Sequence, residues 1–316
     1  MNEPGPMILG NDDVLRLADM GLAITAIEEA FKARAVGKFI APPRSEVSFG
    51  GLGSLVFTTG GSTGDPALAG FRVRSDFHSD AAVDDQIVAV WNMVGGRLEG
   101  LLLGQHVGSI RTGAIGGVAI KYMAQPGAEI AAVIGTGRQA ATQIEAAARV
   151  RNLREIRVFS RSPETRSAFA EMIAARTGVS TLAAKSAEAA VKEADIVILA
   201  TTSKVKVIER DWLKPGAHIN NIGPKRKNGA EIGFDIAEHA SLLATDSPEQ
   251  IAAFTNPFFL IGTPAMDRMV DIADIIVGRA PVRTDTDAIS LFCSVGLAGT
   301  EVMVGAAILA AARKRQ

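Results

Sequence analysis

One short segment constrains the fold of this chain more than any other, "AEIAAVIGTGRQAATQ", which starts at Ala128. An apolar run leads into Gly135-Thr136-Gly137, and an alanine-rich, helix-like stretch follows at once. In a strand–turn–helix context, Gly135 permits a tight turn and Gly137 lets the backbone approach a pyrophosphate. The helix N-terminus adds free N–H groups and the positive end of its dipole. The segment therefore predicts a dinucleotide site, the alternative being an ordinary turn without a ligand.

The end of the following strand bears on which dinucleotide binds. An acidic residue at this point would hydrogen-bond the ribose 2′-hydroxyl of NAD. The sequence instead reads "RVFSRSPET", with Ser160, Arg161 and Ser162 at the tip. A guanidinium flanked by hydroxyls suits a 2′-phosphate, which favours NADP, with NAD as the alternative if Arg161 is only a solvated surface charge.

The pattern around this turn indicates a fold class. From Ala128 onward, continuous apolar strands such as "IAAVIG", "DIVILA" and "HINNIG" alternate with helical segments. This alternation is typical of βαβ units, and it predicts an α/β, Rossmann-type, doubly wound parallel sheet. We place this dinucleotide-binding domain at residues 126–285.

The first third of the chain reads differently. A helix is expected from "NDDVLRLADMGLAITAIEEAFKARAVGK", with Asn11 as its cap and Gly37 as its end. Five short strands follow, and Gly95-Gly96 predicts a hairpin between two of them, so the sheet should be antiparallel. The final stretch, "SVGLAGTEVMVGAAILAAARK", reads as one long helix that returns to this region. We therefore expect a discontinuous α+β domain of residues 1–125 plus 286–316.

Composition excludes several classes of partner. The 316 residues carry a net charge of −1, which gives no basis for binding nucleic acid or an anionic membrane surface. We find no apolar run of the roughly 18–20 residues that span a bilayer, and "MNEPGPMILGNDD" does not resemble a secretory leader. The single Cys293 fits a reducing compartment, and no metal-ligand spacing appears. We expect a cytoplasmic protein without a metal site.

Several stretches resemble the ornithine cyclodeaminase/μ-crystallin family. They are "PPRSEV", "LAGFRVRSDF", "SIRTGAIGGVAIKYMA", "AAVIGTGRQAATQ", "WLKPGAHINNIG" and "SLFCSVGLAG", and they occur in the family's order over nearly the whole chain. The resemblance implies a Rossmann domain plus a discontinuous domain for substrate binding and dimerisation, and hence a homodimer. Family activities include ornithine and lysine cyclodeaminases, alanine dehydrogenases, ketimine and cyclic-imine reductases, and hormone binding by μ-crystallin.

The resemblance also implies roles for two arginines. Arg44 in "PPRSEV" matches the residue that grips the substrate carboxylate, and Arg111 in "SIRTGA" matches a cation near phosphate and substrate. Both roles suit amino, keto or imino acids, whose planar carboxylate a guanidinium can hold through two hydrogen bonds. The alternative for each is a structural or surface salt bridge.

Two positions depart from the cyclodeaminase pattern. Arg72 stands where the family has a lysine, and arginine is a poor acid or base. Lys225 stands near the cyclodeaminase aspartate, where it would repel a substrate ammonium, unless the loop directs Lys225, Arg226 and Lys227 to solvent. Both changes favour an anionic substrate over a basic diamino acid. His78 is a candidate proton donor or simply an exposed loop residue.

The first functional hypothesis is an NADP-preferring oxidoreductase of a small α-imino or α-keto acid, with a small carboxylate substrate as its partner. The alternatives are a cyclodeaminase-type lyase with bound NAD and a non-catalytic binding protein. The candidate catalytic residues are Arg44, Arg72, Arg111 and Lys225. The candidate cofactor contacts are Gly135, Thr136, Gly137, Arg138, Gln139, Ser160, Arg161, Ser162, Thr201, Thr202, Gly223, Val295 and Gly296.

Overall fold

The computed structural model describes residues 5–78, 85–280, 283 and 285–315. Within these residues the strands are β1 (Met7–Leu9), β2 (Phe39–Ile40), β3 (Ser45–Ser48), β4 (Gly53–Ser62), β5 (Leu68–Phe77), β6 (Gln86–Asn92), β7 (Arg97–Leu103), β8 (Ile130–Ile134), β9 (Glu155–Phe159), β10 (Ser180–Ala183), β11 (Ile196–Leu199), β12 (His218–Asn221), β13 (Lys225–Arg226), β14 (Gly229–Ala230), β15 (Leu242–Thr245), β16 (Val270–Asp271) and β17 (Ser290–Cys293). The helices in the same residues are α1 (Asn11–Leu17), α2 (Met20–Ala35), α3 (His106–Met123), α4 (Arg138–Val150), α5 (Pro163–Thr177), α6 (Ala187–Val191), α7 (Phe234–His239), α8 (Pro248–Ala252), α9 (Pro264–Asp267), α10 (Ile272–Ile276) and α11 (Thr300–Arg313).

The chain divides into two compact units. Unit 1 comprises the described residues of Met1–Arg111 and Leu297–Gln316, and unit 2 those of Thr112–Gly296. The sequence placed these divisions at 125/126 and 285/286. The first division falls within α3 because the rest of that helix is bonded to unit 2: the Gln143 side chain donates to the Thr112 carbonyl at 2.7 Å.

Unit 1 is built on a sheet in the order β1-β7-β6-β5-β4-β2, with β3 also paired to β4. The pairings are antiparallel except that β1 runs parallel to β7. Helix α11 packs closely on one face, because glycines replace larger residues on both sides. A Cβ on Gly70 would lie 3.0 Å from Val302, and one on Gly305 would lie 3.1 Å from Leu102.

Two helix predictions in unit 1 need correction. The N-terminal helix is two helices, since Asp19 caps α2 by accepting a hydrogen bond from the Leu22 amide at 3.2 Å, and Asn11 lies inside α1 rather than capping it. The final helix begins at Thr300, not at Ser294. Its start is set by Gly299, whose φ of 79° is a left-handed conformation that glycine adopts without strain.

Unit 2 carries a parallel sheet in the order β10-β9-β8-β11-β12-β17-β15-β16. Alternate residues of β8 belong to two separate hydrophobic clusters, Ile130, Ala132 and Ile134 to one and Ala131 and Val133 to the other. Both faces are therefore covered, as in a doubly wound fold, and the predicted α/β class is confirmed. The strand order reverses between β8 and β11, and such switch points are where open α/β sheets bind ligands.

Candidate functional site

The glycine turn lies at this switch point in unit 2, between β8 and α4. Gly135 has a φ of 116°, and a Cβ there would come within 2.3 Å of the Ala200 carbonyl oxygen, so only glycine fits. Gly137 is the N-cap of α4 with ordinary extended angles, and a Cβ on it would meet nothing within 4 Å. In the described part of the chain no side chain caps α4. The helix start without a side-chain cap and the open space beside Gly137 suit a pyrophosphate.

The end of β9 presents the residues predicted to read the ribose. Arg161 is exposed, whereas the Ser162 hydroxyl accepts the Thr165 amide at 3.2 Å and donates to Glu164 at 2.9 Å. The Ser160 hydroxyl donates to the Ser162 carbonyl at 3.2 Å. The Arg161 guanidinium is therefore more accessible to a ligand than the hydroxyl of Ser160 or Ser162. Sequence analysis missed Glu164, an acidic neighbour of this tip.

A buried carboxylate that sequence analysis also missed organises the next part of the edge. Glu231 is fully buried and lies against Thr201, Asn221 and Gly223. A Cβ on Gly223 would come 2.4 Å from Glu231, which explains the glycine. Burial raises the pKa of Glu231, although its hydrogen bonds with Thr201 oppose the shift. Thr202, by contrast, is exposed.

A second buried carboxylate holds the loop after β17. Asp246 accepts hydrogen bonds from the amides of Val295 at 2.7 Å and Gly296 at 2.9 Å. The Ser294 hydroxyl donates to it as well, at 3.1 Å. Val295 and Gly296, both predicted cofactor contacts, are thereby fixed to the end of β15.

Lys225 is buried and directed at the backbone of its own loop. Its Nζ donates to the carbonyls of Ile222, at 2.9 Å, and Gly223. Burial lowers the pKa of Lys225, while the negative charge of Glu231 acts in the opposite direction. The sequence left open that this loop directs its basic side chains to solvent. Lys227 is exposed, as that alternative predicts, but Lys225 is not.

In unit 1, two of the predicted arginines meet on one carboxylate. Arg72 and Arg111 are both over nine-tenths buried, and their guanidiniums lie 3.0 and 3.1 Å from the same oxygen of Glu301. Burial lowers the pKa of Arg72 to about 10. Burial alone would raise the pKa of Glu301, but Arg111 and Arg72 hold it below its ordinary value. Sequence analysis missed Glu301, since it read the surrounding stretch as an apolar helix.

The remaining candidates in unit 1 are Arg44 and His78. Arg44 is half-buried, and its charge contributes to the pKa values of both Arg72 and Glu301. His78 is exposed, with a ring nitrogen 3.1 Å from the Gly51 carbonyl oxygen, as expected of a loop residue. In unit 2, Cys293 is buried, and burial raises the pKa of its thiol to about 12. It therefore carries no reactive thiolate at neutral pH.

Comparison with known proteins identifies the family. The model of the Ornithine cyclodeaminase/mu-crystallin family matches residues 5–315. The chain belongs to this family. In sequence it is 28% identical over 308 residues to the alanine dehydrogenase of Archaeoglobus fulgidus, covering 94% of this chain and 92% of the relative. It is 31% identical over 211 residues to a Delta(1)-pyrroline-2-carboxylate reductase of Bacillus cereus, a match that spans 65% of this chain and 64% of that enzyme.

Solved structures of the family have the same fold. The Delta(1)-pyrroline-2-carboxylate reductase of Thermococcus litoralis, in complex with NADH and L-proline, has a TM-score of 0.88 at 26% identity and covers 98% of both chains. An archaeal alanine dehydrogenase dimer with bound NAD has a TM-score of 0.87 at 26% identity and covers 98% of this chain and 97% of the other. Among the described residues, no helix is long and apolar enough to cross a membrane, and no group of three or more His, Cys, Asp or Glu side chains could hold a metal ion.

Proposed function

We propose that this protein is an NAD(P)-dependent oxidoreductase that reduces a small α-imino or α-keto acid by hydride transfer. Its named relatives include a pyrroline-carboxylate reductase, an alanine dehydrogenase and ketimine reductase mu-crystallin, which supports this class of reaction. The observation that carries the proposal is the glycine turn, where Gly137 and the uncapped start of α4 leave space for a pyrophosphate. When bound, the reduced nicotinamide supplies the hydride.

The arginine cluster of unit 1 supports an acidic substrate. Within the described residues, Arg72 Nε and Arg111 Nη1 are buried without a hydrogen-bond acceptor. Such atoms are costly unless a ligand supplies an acceptor, and a carboxylate does so. The role of Arg72, Arg111 and Arg44 is to bind and orient the acid. A protonated imine needs only the hydride to become the amine, whereas the reduction of a keto group to the hydroxyl also consumes one proton.

The geometry supports a lyase less well. A cyclodeaminase reaction on a diamino acid needs groups that exchange protons and tolerate a second ammonium. Arg72 retains its proton at neutral pH, and Lys225 places a cation where the lyase pattern has a carboxylate. Similarity to the structure of a lysine cyclodeaminase, at 24% identity, reflects the fold alone.

We propose NADP as the preferred cofactor and NAD as the alternative. Arg161 is exposed at the tip of β9, where a 2′-phosphate would need a cation. The structural relatives named above were solved with NADH and NAD, so the preference for the phosphorylated form rests on this arginine. The proposed compartment is the cytoplasm, where the unpaired Cys293 stays reduced.

We propose that the protein is a homodimer through the sheet of unit 1. The sheet face opposite α11 carries a row of apolar side chains that pair across strands, Phe57 with Val73, Val73 with Ile87 and Ile87 with Leu103. Ile87 is 44% exposed and Leu103 is 38% exposed, and adjoining exposed apolar side chains of this kind support a protein–protein interface. Light scattering of the wild type and of Ile87→Asp tests this assignment, because the charge should produce monomers.

Activity assays test the function directly. The purified protein is mixed with NADPH or NADH and with pyruvate plus ammonia, pyrroline-2-carboxylate, piperideine-2-carboxylate or a dicarboxylic imino acid, and absorbance at 340 nm is followed. Loss of absorbance with at least one acid supports the proposal. Formation of ammonia and proline from ornithine, with no net absorbance change, would support the lyase. Tight nucleotide binding without turnover of any acid would indicate a binding protein.

A further inference from the structure

Two buried carboxylates lie at the edge of the unit 2 sheet where dinucleotides bind. Strands β8, β11, β12, β17 and β15 are consecutive neighbours and run parallel, so their carboxyl ends share one edge. The loops that leave this edge contain most of the predicted cofactor contacts, among them Thr201, Gly223 and Gly296. Each of these three loops is tied down by Glu231 or Asp246.

Glu231 joins the loops after β11 and β12. One oxygen accepts the amide of Thr201 at 2.8 Å and its hydroxyl at 2.7 Å. The other oxygen accepts the Asn221 side-chain amide at 2.7 Å and the Gly223 backbone amide. The backbone amides of Thr201 and Gly223 can only donate, and each bonds to a different oxygen, so a carboxylate, which accepts at both ends, satisfies the arrangement. Glutamine would place its own NH₂ against one of these two amides.

Asp246 has the same function for the loop after β17. Both of its oxygens accept backbone amides, those of Val295 and Gly296, and the Ser294 hydroxyl adds a third bond. Gly296 has a φ of 84°, a left-handed conformation that glycine adopts without strain. Hydrogen bonds to a charged carboxylate are stronger than those to a neutral acceptor, so Asp246 holds this loop in one conformation.

We propose that Glu231 and Asp246 are positioning residues for the dinucleotide. They hold the loops at the carboxyl edge in the conformation that receives the nucleotide, and they do not contact it themselves. This inference rests on the proposed function, because it assigns the held loops to the nucleotide site. Replacing Glu231 or Asp246 should weaken nucleotide binding more than the accompanying loss of stability explains. Replacing other buried residues of the sheet should not have this effect.

A matched control exists at the opposite edge of the same sheet. Asp195 also accepts two backbone amides, those of Glu129 and Ile130 at 2.9 Å each, but it lies at the amino ends of β8 and β11. Asp195→Asn therefore removes the negative charge of a carboxylate, together with its ion pair to Lys214, far along the strands from the glycine turn. It should lower the melting temperature while leaving nucleotide binding within twofold of the wild type.

The experiment compares Glu231→Gln and Asp246→Asn with D195N and the wild type, by nucleotide titration and steady-state kinetics at a temperature where all are folded. We expect the Kd and KM for the preferred nucleotide to rise at least tenfold in E231Q and D246N. The KM for the imino or keto acid at saturating nucleotide should change less than twofold. Unchanged nucleotide affinity in both variants, or an equal loss in D195N, overturns the inference while leaving the proposed function intact.

A milder variant tests the inference even if E231Q and D246N do not fold. Ser294→Ala deletes a single donor to Asp246 and keeps the carboxylate. A Kd raised severalfold supports positioning, and an unchanged Kd contradicts it. A wild-type protein that binds neither NADPH nor NADH overturns the proposed function and this inference together, which separates that failure from the others.

Discussion

Replacing Gly137 by alanine tests whether the turn before α4 binds a phosphate or is an ordinary turn without a ligand. In the folded protein a Cβ at this position meets nothing within 4 Å, and the backbone angles, φ −84° and ψ 176°, are accessible to alanine. Alanine is a poorer N-cap than glycine by up to about 1 kcal/mol. In the opposite direction, alanine reduces the conformational entropy of the unfolded chain, which stabilises the folded protein by about 0.4–1 kcal/mol. The free energy of unfolding should therefore change by less than about 1 kcal/mol.

Nucleotide binding should respond very differently. The added methyl group occupies the space at the start of α4 that a pyrophosphate would fill, and it pushes the phosphate from the first amides. A hydrogen bond to a charged group contributes about 1.5–3 kcal/mol. Loss of one such bond corresponds to a roughly 10- to 150-fold increase in Kd.

The assay pairs urea unfolding with titration of NADPH and NADH into Gly137→Ala. Gly135→Ala is the contrasting variant, because its Cβ would lie 2.3 Å from a carbonyl oxygen and φ is 116°, so it should destabilise the fold itself. Wild-type nucleotide affinity in a stable G137A protein would refute the argument that this turn binds the pyrophosphate.

Three further predictions follow from single residues. Glu301→Gln should lower the free energy of unfolding by about 3 kcal/mol in urea titrations, because it leaves Arg72 and Arg111 buried without their carboxylate. Glu99→Gln is the control: it breaks the partly exposed ion pair with Arg313 and should lower the free energy of unfolding by less than about 1 kcal/mol. Because folding lowers the pKa of Glu301, the ionised carboxylate should contribute fully to the free energy of unfolding above its ordinary pKa of 4.5, and this contribution should be lost as the pH falls through the folded-state pKa. Equal stability of the wild type and E301Q at neutral pH would contradict this prediction. Arg161→Ala should reduce kcat/KM for NADPH about tenfold and leave that for NADH within twofold, with Arg154→Ala as a surface control, and an equal effect on both nucleotides would assign Arg161 to neither. Cys293 should resist a thiol reagent at pH 8 in the native state and react on unfolding, because burial raises its pKa to about 12; rapid labelling of folded protein would show that the thiol is accessible.

Local patterns in the sequence predicted the main elements of the fold. The apolar run before Gly135 is β8, the alanine-rich stretch after it is α4, and Gly95-Gly96 lies in the turn between β6 and β7. These features depend on neighbours within a few residues, which is why periodicity and turn residues identify them. The family resemblance, which rested on ordered motifs, is confirmed over residues 5–315.

The predictions failed where a distant contact decides the outcome. Thr201 is 30 residues from Glu231, Val295 is 49 residues from Asp246, and Arg72 is 229 residues from Glu301. No pattern of spacing relates such partners, so the three carboxylates that organise the candidate sites were not found. The start of α11 was misplaced for a related reason, since Gly299 ends a loop that the apolar composition alone reads as helix.

The carboxylate on the arginines changes what the position of Arg72 implies. An arginine in place of a lysine suggested a second grip on the substrate, but one of its nitrogens already binds Glu301. Because Arg111 shares that oxygen, the three side chains carry a net charge of +1, and the nearby Arg44 brings it to +2. A guanidinium can bond an internal carboxylate with one nitrogen and present another to a ligand, whereas the single ammonium of lysine is a point charge. The substitution therefore combines a fixed internal ion pair with a cationic surface for an acid, which is consistent with reduction of an anionic substrate and unfavourable for a diamino acid.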